Sequence, residues 1–174
     1  MRAATRLILL VLTPWLFAAP VFAQSNPKLI GDYRAWEALT YKEGGSDVCY
    51  MSSSPEKWTS QPENVRRGDI YLLVTHRPSR GVKDEVSIYT GYTYKQGSDV
   101  TLEIDGQDFE LFTDGDTAWA RDAETDNKLV QAMIRGNKMV IRGTSSRGTL
   151  TIDTYSLSGF TAARNAINKA CKVR

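Results

Sequence analysis

Turn-forming residues cut the chain into short segments, and that spacing limits the fold more than any other feature. Asp105-Gly106 stands between 100–104 and 107–113, two runs in which apolar residues alternate with polar ones. An Asp-Gly pair in that setting takes the positive φ angles of a tight hairpin. The signal recurs at Asp114-Gly115-Asp116 before 117–121, at 42–46 before 47–52, and at 144–148 before 149–157. Turns repeating at intervals of about eight to twelve residues predict an all-β sandwich or barrel.

The strands between these turns follow from alternation. Segment 32–40 reads as a first strand, preceded by a loose polar leader, 24–28. In 47–52, Cys49 and Met51 share one face and Val48 and Tyr50 the other. Segment 53–64 reads as a loop. The run from Ile70 to His76 is almost continuously apolar, which predicts a central strand buried on both sides. Segment 85–90 alternates Val86 and Ile88 against Ser87 and Tyr89, and 91–97 is an aromatic loop. Segment 138–143 pairs with 149–157, where Leu150 and Ile152 face one way and Thr151, Asp153 and Tyr155 the other.

Two stretches switch to helical spacing. In 126–135, Leu129, Val130, Met133 and Ile134 fall on one face, with Asp126 as N-cap and Gly136 as the stop beyond the C-terminus. After a turn at Ser158-Gly159, Phe160, Ala163, Ile167 and Ala170/Cys171 form a narrow stripe that ends on a thiol. The expected fold is therefore mainly β: a β-sandwich-like domain of many short antiparallel strands, with a short helix near 126–135 and a C-terminal helix. The helices are expected to cover open ends or edges of the sheets. The alternative is an α+β layer with a single sheet.

Residues 1–23 carry Arg2 and Arg6, then an apolar run from Leu7 to Phe17, then Val21-Phe22-Ala23. That is the pattern of a secretory signal peptide cut after Ala23, leaving one domain over 24–174. The apolar run is shorter than the roughly 20 residues of a membrane span, and Pro14 and Pro20 interrupt it. No second hydrophobic span follows, so the mature chain is expected to have no transmembrane segment. The full chain holds 22 Lys+Arg against 20 Asp+Glu. Both arginines of the leader leave with it, so the mature chain is balanced, which argues against nucleic acid or an anionic membrane as a general electrostatic partner. Cys49 and Cys171 are the only cysteines, and in an exported protein such a pair is expected to form a structural disulfide. A redox pair would need a Cys-x-x-Cys or a thiolate activator, and neither is evident.

The residues that invite a functional reading each have a plainer one. His76 is the single histidine and cannot be assembled with a nucleophile from sequence, so a structural hydrogen-bonding role is favoured. Zinc would need further ligands of carboxylate type. Asp114, Asp116, Asp122, Glu124 and Asp126 are oxygen ligands at close spacing, but they lack the spacing of a calcium loop and read as turn residues plus a helix cap. Arg67-Gly68-Asp69 matches an integrin-binding tripeptide, yet it runs straight toward a strand rather than standing at a loop tip. Gly143 to Gly148, with Arg142 and Arg147, precedes a strand and so lacks the helix N-terminus of a phosphate loop; a hairpin turn accounts for it. Tyr33, Trp36, Tyr41, Trp58, Tyr89, Tyr92, Tyr94 and Trp119 belong mostly to the core, with Trp58 as the best candidate for exposure; exposed members would form a protein- or carbohydrate-binding face.

Several of these segments, in their order, resemble a known family. Arg67-Gly68-Asp69 is followed by Gly91-Tyr92, Ala118-Trp119, Leu129-Val130-x-Ala132-Met133 and Gly136. Then come 143–149, Tyr155 to Phe160, and Cys171. The series resembles the invasion-associated locus B family of α-proteobacteria, most specifically over 126–171. The resemblance implies an exported, non-enzymatic, β-sandwich-like envelope protein without a cofactor, acting on a protein partner in the envelope or on a host cell. It implies a periplasmic, outer-membrane-associated or secreted location. In pathogens the family is associated with host-cell attachment and invasion, and it brings no catalytic residues to carry over. Where the family's first strand often has a Trp and then a Cys after its Gly, Tyr33 stands in the Trp-like place and 34–41 has no cysteine, so a disulfide rests on Cys49 and Cys171. The rival reading is an envelope-maintenance or small-ligand-binding sandwich, and a hydrolase is the weakest of the three.

Overall fold

The computed structural model describes residues 26–173; the signal-peptide reading of 1–23 lies outside them. Eleven strands and two helices follow one another as β1 (Lys28–Tyr33), β2 (Trp36–Glu43), β3 (Ser46–Ser53), β4 (Lys57–Gln61), β5 (Tyr71–Arg77), β6 (Val82–Tyr89), β7 (Val100–Ile104), β8 (Gln107–Asp114), β9 (Thr117–Trp119), α1 (Ala123–Arg135), β10 (Lys138–Thr144), β11 (Leu150–Ser156) and α2 (Phe160–Cys171). The strands form one antiparallel run in the order β1-β2-β3-β5-β6-β9-β8-β7-β10-β11-β4. Strand β8 joins its two halves: Gln107 to Leu111 pair with β7, and Phe112 to Asp114 pair with β9. The halves share one buried core, with Met51, Leu72 and Ile88 from the first and Leu102, Met139, Ile141 and Tyr155 from the second. The fold is the expected mainly-β, sandwich-like one with two helices. It is not a closed barrel, because β1 and β4 remain edges.

The hairpins with glycine turns fall where their sequences place them. The β7–β8 turn is Asp105-Gly106, with Ile104 opposite Gln107. Two strands depart from expectation because tertiary contacts shape them. The stretch read as one strand, 32–40, is two: Tyr33 pairs with Trp36 across a tight turn, and β1 begins inside the segment read as loose leader. Arg34 takes φ +61 there without being Gly, Asn or Asp. Ser158 secures it from the far end of the chain, accepting from Arg34 Nη1 at 3.1 Å and from the Ala35 N–H at 3.2 Å. Likewise 53–64 is not all loop. Lys57–Gln61 forms edge strand β4 on β11, with Trp58 opposite Asp153. Its exposed side needs no apolar pattern, so the sequence carries none.

Other corrections concern burial and capping. Strand β5 is central, with Leu72, Val74 and His76 buried on one face; on the other face Thr75 is buried too, but Tyr71, Leu73 and Arg77 are half-buried. Helix α1 starts three residues before the expected cap. Asp122, in extended conformation, accepts from the Thr125 N–H at 2.7 Å, while Asp126 lies one turn inside. Gly136 is not in the left-handed region: its φ is −83°. It is glycine because a Cβ there would lie 2.5 Å from Ile104 Cγ2 and 2.9 Å from Leu157 Cδ1.

The helices were expected over open ends or edges of the sheets, but α2 lies across the face of β1, β2, β3 and β5. Four of its side chains, spaced four, four and three apart, stitch it to four different strands. Phe160 meets Trp36 of β2 edge-on, with ring centroids 5.0 Å apart. Arg164 donates to both oxygens of Asp84 at 2.8 and 2.6 Å. Asn168 meets His76 Nε2 at 2.8 Å, and Cys171 is disulfide-bonded to Cys49 of β3. A register irregularity between β5 and β6 presents Asp84, at φ +56. The Asp84 N–H donates to His76 Nδ1 at 3.0 Å, so Nε2 carries the proton and donates to Asn168. The ring is fully buried, and burial lowers its pKa, keeping it neutral. His76 is thus structural, as expected.

Converting both Cys49 and Cys171 to Ser releases a closure of 122 residues. The chain-entropy cost of that release is about 4–5 kcal/mol, so the urea midpoint of the double variant is expected to fall well below that of the oxidised protein. An unchanged midpoint would mean that the other three stitches hold α2 unaided.

Candidate functional site

The tripeptide Arg67-Gly68-Asp69 is where the sequence most invites a wrong reading. It lies in the segment entering β5, and its guanidinium points inward rather than out. Arg67 makes a two-pronged ion pair with Asp153 of β11, Nη2 to Oδ2 being 2.7 Å, and Nε donates to the Thr90 carbonyl at 2.9 Å. The rings of Trp58 and Tyr92 each lie 5.1 Å from the guanidinium carbon. Both partners' side chains are almost fully buried, at 2% and 1% exposure. The Arg and Asp of the tripeptide are therefore not a splayed pair. Its glycine lies against Gly91, and it is Gly91 that the close backbone contact requires. The Gly68 N–H donates to the Gly91 carbonyl at 2.9 Å, and a Cβ on Gly91, at φ +68, would lie 2.5 Å from Gly68 O.

This pair also decides which face of β11 is buried. Thr151, Asp153 and Tyr155 point inward, while Leu150 and Ile152 are half-buried. The two faces are those expected from alternation, and the more polar one is inside because Asp153 has Arg67 to meet. The Thr151 hydroxyl is 2.7 Å from the Tyr92 hydroxyl.

The acidic segment does not converge. Asp122 caps α1, and Glu124 pairs with Lys128. Asp116 accepts from the Thr117 hydroxyl, and Asp126 accepts from the Val86 N–H at 2.9 Å. Among the described residues no group of three His, Cys, Asp or Glu side chains is placed to hold a metal ion.

The surface that remains is aromatic. On the outer face of the first half-sheet, alternation turns Tyr41, Tyr50, Tyr71, Leu73 and Tyr89 away from the core, all half-buried. Tyr71 and Tyr89 are cross-strand partners and stack, with centroids 4.6 Å apart and planes 21° apart. Tyr41 and Tyr50 meet edge-on at 6.0 Å. A shallow hollow of about 400 Å³ runs between the Tyr41, Tyr50 and Tyr71 rings, with Thr75 and Arg77 along its side. Partial burial raises the pKa of the Tyr50 and Tyr71 phenols, so both stay protonated donors near neutral pH. Rings held by their neighbours, with hydroxyls at the tips, form an amphipathic platform suited to binding. Among the described residues that line it there is no His, Cys, Lys or carboxylate side chain.

Of the eight aromatics singled out from sequence, only Trp36 and Tyr94 are buried core residues; Tyr33, Tyr41, Tyr89, Tyr92 and Trp119 are half-buried at sheet faces and loops, so most do not belong to the core as expected, while Trp58 is 40% exposed, as expected. Tyr50 and Tyr71 were missed as site residues. The usable signal was parity: each sits one residue out of phase with the buried Met51 and Leu72.

A family model described as invasion associated locus B (IalB) protein matches residues 36–168. Among solved structures, the crystal structure of invasion associated protein B from Bartonella henselae is similar at a TM-score of 0.54 and 16% identity. That likeness covers 85% of this chain and 98% of the other, and it speaks to fold alone. No curated protein sequence matches the chain.

Two measurements check the electrostatics. Arg67→Met alone leaves the Asp153 charge buried and unpaired, so it is expected to cost about 3–5 kcal/mol in urea unfolding, whereas Arg67→Met with Asp153→Leu recovers most of that loss. The second concerns Asp126, whose pKa is pushed up to about 6, first by burial and then by Glu85 and Asp84. A value above that of the unfolded chain means the folded state holds this proton more tightly. Its contribution to stability is in place below about pH 4 and is lost as pH rises through the folded value. Asp126→Asn should remove this fall from the stability profile without altering the opposite, rising contribution of buried neutral His76.

Proposed function

The chain belongs to the invasion-associated locus B family, and from that membership we propose that it is an exported envelope protein that works by binding another protein surface. The half-buried tyrosine platform on the outer face of the first half-sheet carries this reading, because it offers contact area and fixed hydroxyls without groups for bond-breaking. In a pathogen the bound surface is that of a host cell, in keeping with the words used for the Bartonella henselae protein. The rival, an envelope-maintenance role, places the same platform against a protein of the producing cell.

One experiment separates these. The full chain, expressed in its own type of cell, is fractionated and its amino terminus determined; the expected product begins at Gln24 and lies outside the cytoplasm. Crosslinking on intact cells, with and without host cells present, then compares the native chain with Tyr50→Ser/Tyr71→Ser. Adducts with host-surface proteins that drop at least about tenfold in the variant support attachment, each tenfold being about 1.4 kcal/mol of binding. Adducts confined to envelope proteins, and equally sensitive to the variant, support the rival. A cytoplasmic chain, or adducts indifferent to the two tyrosines while the melting profile is retained, overturns the reading.

A further inference from the structure

A second concavity lies on a different part of the molecule and has a different chemistry. It is a cleft of about 330 Å³ between the segment before β5, the loop after β6 and the turn joining β10 to β11. Arg66, Arg67 and Arg147 line it, with Tyr92, Ser146 and Thr149, and no carboxylate does. Arg67 is neutralised by Asp153 behind the wall. Arg66 and Arg147 are exposed, and their guanidinium groups have no partner among the described residues. That sets them apart from Arg77, Arg80, Arg121, Arg142 and Arg164, each of which meets a carboxylate. In a mature chain of balanced charge, two unpaired guanidinium groups facing one cleft are a local excess of positive potential.

The walls are rigid. The 145–149 turn is closed by the Ser145 N–H to the Thr149 carbonyl at 2.9 Å and by the Gly148 N–H to the Ser145 carbonyl at 2.8 Å. The Ser145 side-chain oxygen accepts from the Thr149 N–H at 3.1 Å. The turn is also clamped to the neighbouring loop: the Ser146 N–H donates to the Thr93 carbonyl at 2.8 Å, and the Lys95 N–H to the Thr144 carbonyl at 2.9 Å. On the other side, Arg66 adjoins Arg67, whose own guanidinium is locked. Both free arginines therefore stand on fixed backbone, which limits the ordering cost of binding. These turn amides are spent on internal hydrogen bonds, so the site is no phosphate loop; side chains would supply its donors.

We propose that this cleft binds the phosphate group of a small phosphate ester, held between Arg66 and Arg147 with the hydroxyls of Ser146 and Thr149 as further donors. Planar guanidinium forks match the oxygen geometry of phosphate, and the volume is at the small end of the range for ligand pockets, enough for a phosphate carrying one sugar or a lipid headgroup. The inference does not depend on the tyrosine platform, with which the cleft shares no lining residue.

The test uses the oxidised mature chain in low-salt buffer free of phosphate. Calorimetric titration with glucose 1-phosphate, with glucose as control, reports a soluble ligand. Flotation with phosphatidylcholine vesicles, with and without phosphatidic acid, reports a lipid headgroup. Saturable binding in either arm is expected, and the arm that responds identifies the source. Arg66→Gln and Arg147→Gln should each weaken it about tenfold or more, since a hydrogen bond to a charged group is of that order. Arg135→Gln removes the same charge from an exposed position on α1 and should leave binding unchanged. Absence of saturable binding in both arms overturns the proposal, as does an equal loss with Arg135→Gln. Circular dichroism of each variant confirms the fold, which exposed Arg66 and Arg147 do not support.

Discussion

The buried pair of Arg67 and Asp153 is the interaction on which much of the architecture depends. It joins the segment entering β5, in the first half of the sheet, to β11 in the second. Two ions taken out of water are worth keeping only if their remaining donors and acceptors are met, and here Thr90 and the faces of Trp58 and Tyr92 complete the guanidinium's surroundings. The geometry then propagates. Strand β11 must turn its Thr151-Asp153-Tyr155 face inward, Trp58 on β4 is fixed over the pair, and the approach of Gly68 to Gly91 follows from the path of the chain beside it. A hydrophobic contact of equal area would hold the halves together without specifying this register, and that is the argument for an ion pair at the spot.

Helix α2 applies the same logic along a line. Its face against the sheet is aromatic at Phe160, ionic at Arg164, polar at Asn168 and covalent at Cys171. Each contact is of a different chemical kind, so none can be exchanged for its neighbour if the helix slides by one turn. The single histidine is absorbed into this seam. Its neutral form is the one that can accept from Asp84 and donate to Asn168 at once.

Sequence made visible what is decided locally. The Asp105-Gly106 hairpin, the turn at Ser158-Gly159 and the stripe Phe160, Ala163, Ile167 all depend on neighbours within a few residues, and the structure has them in place. What sequence hid was decided from afar. Arg34 turns without a glycine because Ser158 binds it, and β4 is a strand because β11 offers it a ladder. The run of 67–69 toward a strand already argued against an adhesive loop tip, but nothing nearby in sequence shows that Arg67 has Asp153 to face. The outer tyrosines were legible in part: alternation set Tyr50 opposite Cys49 and Met51, but nothing local indicated that Tyr71 and Tyr89 would stack across two strands. The arginine cleft was illegible, since Arg66 and Arg147 are brought together only by the folded sheet.

The position of α2 after all the strands it covers has a consequence for how the molecule comes into being. Strands β1 to β5 are made early, yet the face they present stays uncovered until the twelve residues of α2 exist, and Cys49 waits for a partner 122 positions away. A nascent or truncated chain can assemble its hairpins but has no lid for Trp36, Met51 and His76, so it would expose the apolar surface that cellular quality control detects. Closure of this face is thus reported by α2, and it waits until that helix has been made.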